Sequence, residues 1–147
     1  MARKRIPDCS IARSLDEVGE WWTLLIIREA LFGKRHFAEF QRTLGIARNI
    51  LTARLRALVR HGIFRRAPDG GRRRAYELTD KGRDLLTVVL ALRQWGERWV
   101  CPGGLATELV DALDNTRVAR LEPRSESGRR LTLADIRIVP RAHQRRA

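Results

Sequence analysis

Asn49, Thr52 and Arg56 stand at i, i+3 and i+7 in the stretch "ARNILTARLRALVRHG", whose apolar residues recur with helical spacing. On one exposed helix face, these side chains reach base edges in a DNA major groove together. Asparagine matches adenine, arginine matches guanine, and threonine donates to a base or a phosphate. Leu51, Leu55, Leu58 and Val59 share the opposite face and turn it toward a core. Arg48 and Arg54 flank the polar face, where they are better placed for phosphates than for bases.

A second basic stretch follows. "RRAPDGGRRR", residues 65–74, sets arginines on both sides of a Pro-Asp-Gly-Gly turn with Asp69 as its one carboxylate. Side chains flanking a tight turn cannot all be buried, so like charges held this close call for a polyanion. Arg72, Arg73 and Arg74 are expected to follow the phosphate backbone or enter the adjacent minor groove.

The charge is a patch. Ten arginines lie between Gln41 and Ala75, whereas acids slightly outnumber bases from Tyr76 to Glu122. The whole chain of 147 residues carries a formal charge of +13, mostly from arginine, which favours bidentate phosphate contacts. Double-stranded DNA is the leading partner. An RNA-binding or ribosome-associated basic module is the alternative, but it calls for exposed stacking aromatics, and the aromatics here lie on apolar faces.

Other chemistry finds little support. Cys9 stands just before a helix start, near Arg3, Lys4, Arg5 and Arg13, a setting that favours thiolate and makes it a candidate redox or electrophile sensor. Two cysteines are too few for a disulfide framework, and neither has a ligand-spaced neighbour, so no metal is expected. No phosphate loop, carboxylate pair or nucleophile–base arrangement is visible, so neither an enzyme nor a cofactor is expected. Trp21, Trp22, Trp95 and Trp99 lie on apolar helices, where core or dimer packing is the default and an effector pocket the sharper alternative. No secretory signal or membrane-length apolar run is seen, which predicts a cytoplasmic protein without a membrane partner.

The elements that position these residues follow from pattern. "SLDEVGEWWTLLIIREALFG" runs from an acidic first turn into a buried helix that ends at Gly33, and "HFAEFQRTLG" gives a shorter helix ending at Gly45. "IFRRAPDGGRRRAYEL" reads as a hairpin with Phe64, Tyr76 and Leu78 facing inward. Thr79 is a plausible N-cap for a helix from Lys81 to Trp99, along which Leu85, Val88, Leu92, Trp95 and Trp99 form one apolar face, while Leu86, Val89 and Leu90 add a second. One face fits the protein's own core and the other a second copy of the chain. Beyond Cys101 the pattern changes to short apolar runs between turn residues.

The expected architecture is therefore mainly α with a small β-hairpin: a winged helix-turn-helix with a small β-rich C-terminal appendage. Residues 1–8 form a basic arm, 9–100 the DNA-binding and dimerisation domain, and 101–147 an extension with a frayed basic end. A compact dimer without an activation module most simply represses, by blocking polymerase.

The string "CSIARSLDEVGEWWTLLIIREALFGKRHFAEFQRTLGIARNILTARLRALVRHGIFRR", followed by "AYELTDKG", closely resembles the HxlR-type family of bacterial winged helix-turn-helix regulators. The resemblance covers about Cys9 to Trp99. It implies a homodimeric transcriptional regulator, related to MarR-type proteins and joined through its terminal helices, with the recognition helix at Arg48 to His61 and the wing at Arg65 to Tyr76. Cys9 matches a cysteine that some members use to sense oxidants or electrophiles. The tail is similar to an extension of some longer members, most clearly in "RRLTLADIRIVP". Some of those members carry several cysteines there, whereas Cys101 stands alone here, so the resemblance implies no zinc site.

Overall fold

The computed structural model describes residues 9–70, 74–101, 103 and 107–139. Helices α1 (Ser10–Val18), α2 (Trp21–Leu31), α3 (Phe37–Leu44) and α4 (Arg48–Arg60) are followed by strands β1 (Phe64–Pro68) and β2 (Arg74–Leu78). A one-turn helix, α5 (Asp80–Arg83), leads into α6 (Leu85–Trp99). The chain divides into two compact units, 1–93 and 94–147.

The first unit is built on one apolar core. Ile26 and Ile27 of α2, Phe40 of α3, Leu51, Leu55 and Leu58 of α4, and Phe64 of β1 are all fully buried. The rings of Phe40 and Phe64 lie 6.3 Å apart between centroids. Each such side chain contributes about 1.5–3 kcal/mol on burial, enough together to fix α3, α4 and the hairpin on one scaffold.

Where the sequence suggests one continuous segment up to Gly33, the structure has two helices. Gly19 ends α1, donating its N–H to the Leu15 carbonyl, and a Cβ at this position would meet that oxygen at 2.4 Å. Trp21 at the start of α2 is exposed rather than buried, while Thr23, Ile26 and Ile27 face the core. Between α3 and α4, Gly45 turns the chain with φ +61°, which a side chain would make costly.

The hairpin pairs antiparallel in a register that sets Phe64 opposite Leu78, Arg66 opposite Tyr76 and Pro68 opposite Arg74. Its base is clamped to α5. Thr79 donates from its hydroxyl to the Gly62 carbonyl at 2.6 Å, and the same oxygen accepts from the Gly82 N–H at 3.2 Å. Thr79 is thus an N-cap, as the sequence suggests, but of a single turn; the long helix begins afresh at Leu85.

The second unit has its own local order. Among its described residues, the β content is two isolated antiparallel bridges, Val110 with Arg117 and Arg124 with Arg130. Positive φ at Asn115 and Gly128 turns the chain between the bridged residues. Asp135 caps a 3-10 turn (Leu133–Asp135), accepting from the Thr132 N–H at 2.7 Å and its hydroxyl at 2.6 Å. Those bonds, with Arg129 beside it, hold the Asp135 carboxyl down at about 2.

Candidate nucleic-acid interface

Helix α4 divides its residues cleanly. Leu51, Leu55 and Leu58 are buried, whereas Asn49, Ala53, Arg56 and Arg60 are exposed. Asn49 and Arg56, seven residues apart, are separated by about 10.5 Å along the axis, a span of roughly three base pairs. Thr52 lies half-buried at the margin, its hydroxyl donating to the Arg48 carbonyl at 2.8 Å. In that rotamer its oxygen still offers lone pairs to a donor.

The two flanking arginines differ. Arg48 is exposed at the first turn of α4, with its guanidinium 5.4 Å from the centre of the Phe37 ring, a contact that pre-orders the cation. Ala47, the N-cap, supplies no side-chain acceptor, so the N–H groups of that first turn lack a side-chain cap. Arg54 is half-buried and lies 3.7 Å from the Glu20 carboxylate, which partly offsets its charge.

The wing is ordered by contacts that join residues far apart in sequence. Tyr76 donates its N–H to the Arg35 carbonyl at 2.8 Å, and the Arg35 side chain pairs with Glu77. The other carboxylate oxygen of Glu77 accepts from Arg65 at 2.8 Å. Arg66 sits 5.8 Å from the centre of the Tyr76 ring. Asp69, the lone acid of the loop, lies 3.2 Å from His36 Nε2 and so links the wing to the start of α3. Arg74 is exposed on β2, and Arg72 and Arg73 fall outside the described residues.

Glu39 anchors the helix that precedes α4. Its carboxylate accepts from the N–H of Arg35 at 2.9 Å and of His36 at 2.8 Å. These bonds, Arg35's first, hold it below the usual carboxylate range. Arg35, His36 and Glu77 support this candidate interface, and periodicity in the sequence does not mark them, because their partners lie in other elements.

Cys9 is half-buried at the N-cap of α1, its Sγ accepting from the Ala12 N–H at 3.4 Å. On α6, Val88, Leu92, Trp95 and Trp99 are exposed, whereas Leu85 packs beside the core of its own chain. Ile11 and Leu15 expose a second apolar stripe on α1. A shallow cavity of about 450 Å³ is lined by Leu31, Lys34, Tyr76, Leu78 and Leu86 among others; no tryptophan contributes. Among the described residues, no cluster of His, Cys, Asp and Glu is placed to hold a metal, and no helix is long and apolar enough to cross a membrane.

This geometry coincides with a family match. The model of the HxlR-like helix-turn-helix family matches residues 17–103. An uncharacterized HTH-type transcriptional regulator of Mycobacterium tuberculosis is 48% identical over 93 residues, which are 62% of this chain and 59% of that protein. The chain thus spans less than two thirds of that relative's length. The regulator YdeP of Bacillus subtilis is 32% identical over 117 residues, 76% of this chain and 84% of that one. Among solved structures, the transcription factor PA1607 superposes with a TM-score of 0.86 at 42% identity, over 91% of this chain and 96% of its own. The oxidized redox regulator HypR gives 0.56 at 33% identity, over 61% and 96%.

Proposed function

The chain belongs to the HxlR-like helix-turn-helix family of transcriptional regulators, and we propose that it acts as a homodimeric repressor of a pseudo-palindromic duplex operator. The observation that carries this is the division of α4: leucines fixed in the core, and Asn49, Ala53 and Arg56 presented beside a basic wing. In this reading Asn49, Thr52 and Arg56 read bases, while Arg48, Arg54, Arg72, Arg73 and Arg74 hold phosphates or the minor groove. Arg54 reaches DNA by exchanging its exposed partner Glu20 for a phosphate.

Two recognition helices must enter successive major-groove faces about 34 Å apart, so the dimer sets the operator spacing. The exposed apolar residues of α6, Val88, Leu92, Trp95 and Trp99, with those of α1, support the dimer. A signal acts by changing the distance or angle between the recognition helices. Cys9 suits an oxidant or electrophile, because α1 carries both the thiol and part of that apolar surface. HypR, described as a redox regulator, and YodB, solved in a quinone-bound form at 27% identity, favour this signal class. The cavity beside Lys34 and Tyr76 is the candidate place for a small-molecule effector.

Fluorescence-anisotropy titration against duplex DNA from upstream of the protein's own coding sequence, beside a scrambled duplex, tests the reading. Tighter binding of the native duplex by about a hundredfold, with two chains per site, is expected. Equal binding of both at every salt concentration would reduce the interface to a non-specific basic patch for that DNA.

A further inference from the structure

Among its described residues, the extension after α6 folds without a core: none from 107 to 139 is buried. What holds it is polar: Gln94 of α6 donates to the Ala119 carbonyl at 3.0 Å and accepts from the Leu121 N–H at 2.8 Å. Arg129 donates to Asp135 at 2.9 Å, and Arg117 pairs with Glu108. Meanwhile Leu113, Leu133 and Ile138 are at least 90% exposed, and Ile136 is exposed as well. Exposed ion pairs and hydrogen bonds stabilise weakly, and a segment this short needs apolar burial to persist.

Among the described residues of their own unit, nothing covers these side chains. The segments 1–8 and 140–147 are mainly basic and polar, so neither offers apolar cover of matching size. Charge then selects the occupant. In a chain of formal charge +13, residues 107–139 carry six acids and six arginines and are neutral. A neutral surface gives nucleic acid nothing to neutralise. It does suit a two-fold contact, because an isologous interface brings the same patch against itself, where net charge of one sign would repel.

We propose that the extension is a dimerisation arm, docking on a second copy of this chain through Leu113, Leu133, Ile136 and Ile138 and acquiring its core only in the dimer. The proposal rests on the homodimer reading above and adds the part of the chain that completes it.

Sedimentation of the full chain from nanomolar to micromolar concentration, with hydrogen exchange followed over residues 107–139, tests it. The L133D/I138D double variant and the single variant Leu113→Asp are compared with the wild type. Because all three positions are exposed in the single chain, the substitutions cost little in monomer folding, which circular dichroism of the dilute protein checks. Expected is a dimer dissociation constant weakened at least about tenfold in both, with protection of the arm that rises with wild-type concentration and is lost in the variants. A wild-type dimer whose dissociation constant and arm protection both survive the substitutions overturns the arm alone. A wild type that stays monomeric at micromolar concentration overturns the homodimer reading, and the arm with it.

Discussion

Gly82 and Gly96 both occupy helices, yet replacing each by alanine is expected to act in opposite directions. A Cβ at residue 82 would stand 2.4 Å from the Ile63 carbonyl oxygen and 2.9 Å from Leu78 Cδ2. The oxygen is backbone at the base of the wing and has to retreat by roughly 1 Å to reach ordinary contact. Overpacking of this kind costs about 1–3 kcal/mol, and the better helix propensity of alanine returns up to about 1 kcal/mol. Taken at the middle of both ranges, the net loss is about 1.5 kcal/mol, a fall in Tm of roughly 6–12 °C for a domain of this size. At Gly96 of α6 nothing lies within 4 Å of the added carbon, so Gly96→Ala is expected to stabilise by about 0.5–1 kcal/mol. Calorimetry at one fixed protein concentration measures both, since unfolding of a dimer depends on concentration. A Gly82→Ala Tm at or above wild type would refute the idea that α5 is pressed onto the wing base.

Arg56→Ala is expected to relax base preference by about 1–3 kcal/mol at one position per half-site, whereas Arg74→Ala weakens all duplexes alike and lowers the log–log salt slope by about 1 per lost contact; competition titrations at several salt concentrations separate the two. Glu39 has a depressed pKa, so its contribution to stability is complete above the ordinary carboxylate value of 4.5 and is lost as pH falls through the lower folded value. Glu39→Ala should cost about 1 kcal/mol at neutral pH and flatten that acid limb in urea titrations followed by circular dichroism. Oxidant or quinone treatment should weaken operator binding by the wild type and by Cys101→Ser but not by Cys9→Ser, in which serine still caps α1; a response that survives in Cys9→Ser removes Cys9 as the sensor.

The interface was legible where its signals are local. Phe37, Phe40 and Leu44 repeat at helical spacing and Gly45 stops them, so α3, α4 and the turn between them follow from the sequence. The hairpin follows from Pro68, Asp69 and Gly70 between extended runs. The break at Gly19 was hidden because apolar residues continue across it, and only the closeness of the Leu15 carbonyl requires glycine there. The restart of α6 at Leu85 was hidden because residues 80–84, Asp-Lys-Gly-Arg-Asp, hold no apolar residue whose spacing could show a break. Least legible were the ties that position the wing. Arg35 and Glu77 are 42 residues apart, and nothing in either neighbourhood announces the partner. The alternation of short apolar runs and turn residues in the extension was visible in the sequence, but that none of its described residues from 107 to 139 is buried emerges only once the chain is folded.

Selection of duplexes from a random pool by the purified protein tests the central claim most directly, because it presumes no operator. The account predicts enrichment of an inverted repeat whose half-sites are about 10–10.5 base pairs apart, centre to centre, or a multiple of that, with the preference at one position per half-site lost in Arg56→Ala. Recovery of duplexes with no shared sequence, at affinities that vary only with salt, would contradict it.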